Sequence, residues 1–313
     1  TLCTNRGNFD KFKEMGIEPT YTFEEALDVS KVVADCSPSK AGLANKEKFY
    51  NDRKDKNEAF LAQGSEFGFG SMYAAGINDN IIKKNKFIQV ASCNTHNISN
   101  VLKNLAFDPE KRNEDNLGPS NLREASFLAI RRASDISQTQ DFIPAPEVGT
   151  HSDDKFGTHH ARDAYHLYKT LGYTNNDLNL FSSAIKLNTQ FMHTLYFDVR
   201  IKGLKLSKED VIQWFLDDKF TAVTYKRQAA QVFSFGREHG HFGRILDQSV
   251  VVLPTIHTLD QENGTRVVGY CFTPQDGNSL LSSATAITQY LHENKEEADQ
   301  KLNSLLKYQF DEV

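Results

Sequence analysis

The chain has 313 residues, of which 39% are hydrophobic and 25% are charged, and its formal net charge at pH 7 is -5. A mean hydropathy of -0.52 and an isoelectric point near 6.1 describe a soluble globular protein and exclude a general nucleic-acid binder, because no predicted domain carries a basic excess. The length favours two domains. With no apolar stretch long enough to cross a bilayer and no signal peptide, we expect a cytoplasmic protein without a membrane partner.

The cysteines are scattered along the chain, at Cys3, Cys36, Cys93 and Cys271. Their positions show no paired spacing, which argues against a disulfide framework and against a zinc site. We therefore expect no bound metal.

Strands and helices alternate in the first part of the chain. Strands are expected at residues 31–36, 59–62 and 86–91, with a helix at 43–50 between the first two. This alternation predicts a parallel sheet. Because ligands of open α/β sheets bind beyond the carboxyl ends of the strands, the loops at Pro38 and Gly64 are candidates to line a cofactor. Both loops are also consistent with ordinary strand-ending turns.

Cys93 lies at a predicted strand-to-helix corner. The apolar run at 86–91 is typical of a buried strand, and apolar residues follow at helical spacing from Ile98 to Leu105. The unpaired amide groups of a helix's first turn favour a thiolate, which is the form that attacks an electrophile. The alternative is that Cys93 is one more buried apolar cysteine.

The second part of the chain changes to successive β-rich runs, including residues 178–186 and 187–201. This change predicts a mixed or antiparallel sheet with helices on one face. The helix from residue 277 onward carries an apolar side that needs a packing partner, formed by Leu280, Leu281, Ala284 and Ile287.

Two further groups have polar side chains that could bind a ligand. Arg131 and Arg132 end a predicted strand, where paired guanidinium groups either hold a phosphate or serve as surface charge. His159 and His160 follow a loop with several prolines, and in a loop both rings could reach one ligand. No acidic or thiol partner stands at metal-motif spacing, so the pair does not predict a metal site.

Several of these segments resemble, in the same order, motifs of the archaeal-type (type II) phosphorylating glyceraldehyde-3-phosphate dehydrogenases. The nucleophile segment of that family is similar to Ser92-Cys93-Asn94-Thr95, and its Thr-Thr-Leu-Met-His is similar to residues 189–193. The other matching segments are residues 34–38, 42–46, 63–65, 131–135, 158–163 and 235–237, together with Asn278.

The resemblance implies the architecture. Residues 1–91 would form a Rossmann-like nucleotide-binding domain, completed by the C-terminal helix 277–313, and residues 92–276 an α+β catalytic domain with a mixed or antiparallel sheet. The opening strand and the Gly-x-Gly-x-x-Gly turn of such a domain are not in this sequence. We therefore expect the N-terminal part of the domain to be missing from the chain as given.

The resemblance also implies the reaction, which is the oxidation of glyceraldehyde 3-phosphate or a similar aldehyde with NAD or NADP and inorganic phosphate. Cys93 would be the nucleophile and His193 the general base, although His193 alone is also consistent with a hydrogen-bonded core histidine. The resemblance further implies that the chain forms a homo-oligomer, a tetramer. The remaining site residues implied are Ser92, Asn94, His159 and His160 around the substrate and Pro38, Gly64, Arg131, Arg132 and Asn278 at the cofactor.

The chain departs from the family after Thr95. His96 stands where the family has a second Thr, and Asn97 stands where it has Gly, so a different aldehyde is possible. An acyl-phosphate reductase similar to aspartate-semialdehyde dehydrogenase is one alternative. A catalytically silent member that only binds a ligand is another, and the reactivity of the Cys93 thiol would separate it from an enzyme.

Overall fold

The computed structural model describes residues 1–64, 66–113, 116–134 and 142–313. Ser65 and Asp135, which two of the matching segments include, lie outside the described residues. In the part of the chain that is described, no helix is both long and apolar enough to cross a bilayer.

The strands of these residues are β1 Cys3–Thr4, β2 Tyr21–Thr22, β3 Val32–Asp35, β4 Ala59–Gln63, β5 Ser71–Tyr73, β6 Phe87–Val90, β7 Leu122–Arg131, β8 Glu147–Val148, β9 Leu180–Lys186, β10 Thr194–Lys202, β11 Thr221–Thr224, β12 Ser249–Val252, β13 His257–Gln261 and β14 Gly264–Phe272. The helices are α1 Phe9–Glu14, α2 Phe23–Val29, α3 Ala41–Asn45, α4 Cys93–Ala106, α5 His159–Lys169, α6 Lys208–Leu216, α7 Ala229–His239, α8 Gly277–Leu291 and α9 Lys295–Leu306.

The first part of the chain forms a four-stranded parallel sheet in the order β3-β4-β6-β5. Its central strands are apolar and buried, as expected for strands covered on both faces. Strand β5 was not predicted, because its three residues sit among glycines and have no repeating pattern of their own. Pairing with β6 supplies the hydrogen bonds that make it a strand.

The second part forms an eight-stranded mixed sheet in the order β11-β12-β14-β10-β7-β9-β8, with β13 paired to β14. The central pairs β7–β10 and β10–β14 are antiparallel, whereas β7–β9 and β11–β12 are parallel. Alternate residues of β10 are buried, which matches its alternating sequence. The described residues thus form an α/β fold with the four-stranded parallel sheet and the mixed sheet that the order of strands and helices predicted, and with a separate short parallel pair, β1–β2.

Helix α4 runs from the end of β6 into the core of the mixed sheet. Its apolar residues, including Ile98, Val101 and Leu105, join the cluster formed by the strands β7 and β10. Its asparagines are buried as well, so the helix is enclosed on its polar side too. Polar groups in such a place must find hydrogen-bond partners inside the protein.

Helix α8 leaves the mixed sheet and packs on the parallel sheet. Leu281 and Ala286 join the apolar cluster of strands β4 and β6, and Gln63 Nε2 donates to Ser283 Oγ over 2.7 Å. The helix begins at Gly277, and a Cβ atom at this position would lie 1.8 Å from the carbonyl oxygen of Ile245. The close approach therefore requires glycine.

Candidate active site

Cys93 is the first residue of helix α4 and is partly exposed. Ser92 precedes the helix in an extended conformation, and its hydroxyl lies 2.9 Å from Thr95 Oγ1. The parallel sheet therefore delivers the sulfur to the amino end of a fourteen-residue helix, where partial positive charge favours an anion.

His193 faces this sulfur from the mixed sheet. Its Nδ1 lies 3.9 Å from Cys93 Sγ, and its backbone oxygen accepts from the Thr273 N–H over 2.9 Å. The residue lies just before β10, whereas the sequence placed it within a strand. Burial, followed by the charges of Arg132 and Arg131, lowers the pKa of His193 to about 3, so the imidazole is neutral at pH 7.

Asn94 connects the nucleophile segment to this histidine. Its side chain is buried, and its Oδ1 lies 3.3 Å from His193 Nδ1 and accepts from the Thr273 hydroxyl over 3.1 Å. Its Nδ2 has no hydrogen-bond partner among the described residues. That Asn94 lies around the substrate stays a prediction, and in the structure its side chain contacts His193 and Thr273.

Asn278 brings helix α8 to the same point. It is buried, and its Nδ2 donates to the backbone oxygen of Cys93 over 3.0 Å, although the two residues are 185 positions apart. Its Oδ1 accepts from the Ser279 N–H over 2.8 Å. Asn278 therefore holds the backbone of Cys93 in this structure.

His159 and His160 begin helix α5, which corrects the expectation that they lie in a loop. Thr158 caps the helix, and the spacing of Ala161, Ala164, Tyr165 and Tyr168 is the signal that the sequence reading missed. The two rings lie 4.0 Å apart between centroids.

The electrostatic surroundings link the two histidines to the site. Burial and the nearby Arg131 and Arg162 lower the pKa of His159 to about 4. The pKa of His160 lies well below its ordinary value because of burial and the fields of His159, Arg131 and His193. His160 thus lies within electrostatic reach of His193, and both histidines lie within reach of Arg131, whose positive charge attracts an anion.

A pocket of about 410 Å³ is lined by Arg132, Arg237 and Arg244, and also by Met192, the residue before His193. Among the described residues that line it, the one acidic side chain is that of Asp276, whose Oδ2 lies 3.8 Å from Arg244 Nε. These three arginines and one aspartate leave an excess of two positive charges among the described lining residues. The apolar wall of this arginine pocket consists of Met192, Val232, Phe233, Phe242 and Ile245.

Sequence reasoning identified part of this pocket. Arg132 was a candidate, Arg237 lay in a matching segment without an assigned role, and Arg244 carried no motif that could have revealed it. Arg131 ends β7 and is exposed, so the two neighbouring arginines point to different surroundings.

Pro38 and Gly64 lie at the carboxyl edge of the parallel sheet. Gly64 follows β4, its N–H donates to Val90 O over 3.1 Å, and its φ of +79° suits glycine. Pro38 lies in the turn after β3. Because β4 and β6 are neighbours, Gly64 comes next to the strand that precedes Cys93.

His96 faces away from the open side of Cys93. It is fully buried, with Nδ1 3.0 Å from Ser92 O and Nε2 2.9 Å from Ser282 Oγ on α8. Burial lowers the pKa of His96 to about 4. His96, which stands where the family motif has Thr, therefore joins α4 to α8.

Across the described ranges, no three or more His, Cys, Asp or Glu side chains are grouped so as to hold a metal ion. The polar groups around Cys93 are imidazoles, amides and guanidinium groups. Such a set suits an organic anion better than a cation.

Comparison with known proteins finds curated proteins to which this chain is similar. No family model matches the chain. Similar curated proteins include the glyceraldehyde-3-phosphate dehydrogenase of Pyrobaculum islandicum, 28% identical over 69% of this chain and 56% of that protein. The glyceraldehyde-3-phosphate dehydrogenase of Sulfolobus acidocaldarius is 24% identical over 83% of this chain and 71% of that protein. The one of Methanococcoides burtonii is 28% identical over 67% of this chain and 53% of that protein.

The chain spans about half the length of the first of these curated relatives, 56% for the Pyrobaculum islandicum protein. The alignments are longer than any of the short motifs and include proteins from several archaea. The resemblance predicted from those motifs is confirmed: the curated proteins to which this chain is similar are archaeal glyceraldehyde-3-phosphate dehydrogenases.

Proposed function

We propose that this chain is an NAD(P)-dependent aldehyde dehydrogenase that oxidises glyceraldehyde 3-phosphate, or a similar anionic aldehyde, to an acyl phosphate. The observation that carries the proposal is the distance of 3.9 Å between Cys93 Sγ and His193 Nδ1 at the amino end of a helix. A thiol at a helix terminus beside a neutral imidazole is the arrangement that covalent catalysis on a carbonyl requires. The names of the relatives support the same class of reaction.

The cofactor proposal depends on the carboxyl edge of the parallel sheet. Space is open beside Gly64, where a Cβ atom would have no neighbour within 4 Å, and Cys93 begins its helix at the adjacent strand. The nicotinamide end of NAD or NADP would lie there, with Gly64 and Pro38 lining the space and Asn278 acting through the Cys93 backbone that it holds. When bound, the nicotinamide supplies the hydride acceptor.

The phosphate end of the cofactor does not fit at helix α3. The backbone N–H groups of Lys40 and Leu43 are already bound by the carboxylate of Glu66, which is buried. This carboxylate occupies the amino end of α3, and the 313 residues contain no Gly-x-Gly-x-x-Gly turn. The proposal therefore covers only the nicotinamide end of the site.

Cys93 and His193 would divide the covalent steps. The thiolate adds to the aldehyde carbon and forms a thiohemiacetal, whose oxygen gains negative charge as it forms. His193 is neutral at pH 7, so its ring carries one N–H, which can donate a hydrogen bond to that oxygen. After oxidation to the thioester, inorganic phosphate attacks the carbonyl carbon and the Cys93 thiolate leaves.

The arginine pocket would select the substrate. Arg132, Arg237 and Arg244 offer planar donor groups that suit a phosphate or carboxylate, and the apolar wall limits the access of water. Of the two sheets, we propose that the parallel sheet with residues 277–313 forms the nucleotide domain and that residues 92–276 form the catalytic domain.

A coupled assay tests this proposal. Purified protein is mixed with NAD or NADP, inorganic phosphate and either glyceraldehyde 3-phosphate or aspartate semialdehyde, and both NAD(P)H and hydroxylamine-trapped acyl phosphate are measured. We expect stoichiometric formation of both products with glyceraldehyde 3-phosphate. Activity with aspartate semialdehyde alone would favour the alternative reductase. Absence of both products in a preparation whose Cys93 thiol is still reactive would contradict the proposal.

A further inference from the structure

A continuous series of buried hydrogen bonds leads from strand β14 to the catalytic histidine. Cys271 Sγ lies 3.0 Å from Asn97 Oδ1, and Asn97 Nδ2 donates to Thr273 Oγ1 over 2.8 Å. Thr273 Oγ1 lies 3.1 Å from Asn94 Oδ1, which lies 3.3 Å from His193 Nδ1. These five residues are at most 5% exposed. We call this series the Cys271 relay.

The direction of the relay is set at its first member. Burial raises the pKa of the Cys271 thiol, so the sulfur keeps its proton and acts as a donor. Its nearest acceptor is Asn97 Oδ1 at 3.0 Å, compared with 3.9 Å for Leu195 O. If the Asn97 amide were turned round, its Nδ2 would face the Cys271 sulfur. A thiol sulfur is only a weak acceptor, so that orientation is disfavoured. The Asn97 oxygen therefore faces Cys271 and its nitrogen faces Thr273.

The same reasoning passes along the next two members. The Thr273 hydroxyl accepts a hydrogen bond from Asn97, so its own proton points to the next acceptor, Asn94 Oδ1. The Asn94 amide is thus held with its oxygen toward His193. A neutral imidazole nitrogen that faces an oxygen must carry the proton.

We propose that Thr273 is a positioning residue, which orients the Asn94 amide and thereby fixes His193 as its Nδ1–H tautomer. The inference deepens the proposed function and rests on it only for the catalytic consequence. In this tautomer Nδ1–H donates to Asn94 Oδ1, and its partial positive charge lies 3.9 Å from Cys93 Sγ, where it favours the thiolate. The lone pair then lies on Nε2, and the thiol proton is released to solvent while the imidazole stays neutral.

Two matched substitutions test this role. Thr273→Val removes the hydroxyl while keeping the shape, and Thr273→Ser restores the hydroxyl. Thr265→Val is the control for loss of a buried hydroxyl on β14, because Thr265 Oγ1 donates to Leu204 O and accepts from Leu206 N over 2.9 Å each. Circular dichroism and thermal melting show whether each variant is folded.

The first measurement is the tautomer itself, from nitrogen chemical shifts of protein labelled with [15N]histidine at pH 7. The His193 signals are assigned by their loss in His193→Asn. We expect Nδ1 to be protonated and Nε2 unprotonated in the wild type, in Thr273→Ser and in Thr265→Val. In Thr273→Val we expect a mixture of both tautomers, because the Asn94 amide is no longer held.

The second measurement is the alkylation of Cys93 by iodoacetamide at pH 7, followed by mass spectrometry of its peptide. We expect roughly a tenfold slower reaction in Thr273→Val, since the thiolate loses the fixed partial positive charge beside it, and a rate within about twofold of wild type in the other two variants. Equal rates in Thr273→Val and wild type, or an Nε2–H tautomer in the wild type, would overturn the proposal.

The wild-type tautomer decides the question even if Thr273→Val does not fold. In that case Cys271→Ala, compared with Cys271→Ser, removes the first donor of the relay and should give the same mixture of tautomers. Neither measurement requires an aldehyde or a cofactor. A protein that shows the expected shifts but oxidises no aldehyde would refute the proposed function and leave the role of Thr273 intact.

Discussion

The two ends of helix α4 bury polar groups under opposite electrostatic conditions. At the carboxyl end, Lys103 Nζ lies 2.7 Å from Asp218 Oδ1, and Asn104 and Thr221 also donate to that carboxylate. Burial by itself raises the pKa of Asp218, but these partners outweigh it and the pKa lies below its ordinary value. The charge is thus retained inside the protein.

At the amino end, burial removes charge instead. The pKa of His193 falls to about 3 and that of His96 to about 4, with burial as the largest cause of each shift. Hydrogen bonds there run between neutral groups, and the Cys93 sulfur is partly exposed. One buried helix can therefore carry a stabilising ion pair at one end and a reactive site at the other. The carboxyl end supplies a cation and hydrogen-bond donors for its carboxylate, whereas the amino end gives its imidazoles neutral hydrogen-bond partners.

The largest effect expected at the amino end is on catalysis. Cys93→Ser should reduce aldehyde oxidation by roughly a thousandfold or more, because a hydroxyl is far less ionised than a thiol at neutral pH. The measurement is NAD(P)H formation, and Cys36→Ser, at an exposed cysteine, is the matched control. Substantial residual turnover in Cys93→Ser would remove Cys93 as the nucleophile.

The largest effect expected at the carboxyl end is on stability. Lys103→Met leaves the Asp218 carboxylate buried without its cation and should lower the free energy of unfolding by about 3–5 kcal/mol. Urea denaturation measures this loss. In the exposed pair Lys205–Asp260, Lys205→Met should cost less than about 1 kcal/mol. Equal losses in the two variants would show that the buried pair is no more important than a surface pair.

His193→Asn sharpens the comparison from the other side. We expect turnover to fall roughly 100-fold or more, the usual scale for loss of a general acid or base. The free energy of unfolding should change far less than in Lys103→Met, because the imidazole is buried in its neutral form. Steady-state kinetics and urea denaturation of the same preparation separate the two effects, and unchanged turnover would assign the base to another residue.

The pH dependence of stability gives the smallest expected effect. His96 has a pKa of about 4 in the folded protein and 6.5 in the reference state, so below pH 6.5 the unfolded chain binds a proton that the folded chain does not. Stability is therefore highest above pH 6.5 and falls by up to about 3 kcal/mol as the pH decreases to about 4. The free energy of unfolding, measured by urea denaturation at several pH values between 7 and 4, should depend less steeply on pH in His96→Gln.

His257→Gln, at an exposed histidine, is the control for that slope. Asp218 titrates outside the same window. Its folded pKa is lower than the ordinary value of 3.8, so its contribution is fully present above about pH 4 and is lost as the pH falls through the folded pKa. If the free energy of unfolding of His96→Gln depends on pH as steeply as that of the wild type, groups other than His96 must cause this pH dependence.

The sequence by itself determined the features that depend on neighbouring residues. The apolar run before Cys93 and the helical spacing after it place the thiol at the start of α4, and the alternation along β10 matches its buried face. The apolar side of α8 required a partner. We expected a loop at His159 and His160, although the capping residue Thr158 and the apolar spacing beyond it are local signals for α5. The order of the motifs also led to the archaeal relatives.

The tertiary structure alone decided how distant residues meet at the sulfur. Asn278 reaches the Cys93 backbone from 185 positions away, and Thr273 reaches Asn94 from 179 positions away. Strand β5 exists only because β6 offers it hydrogen bonds, and Arg244 joins the arginine pocket through a loop without a motif. Hydrogen bonds and pKa values depend on distances and burial in three dimensions, and these distances arise only when the two sheets and helices α4 and α8 have packed together.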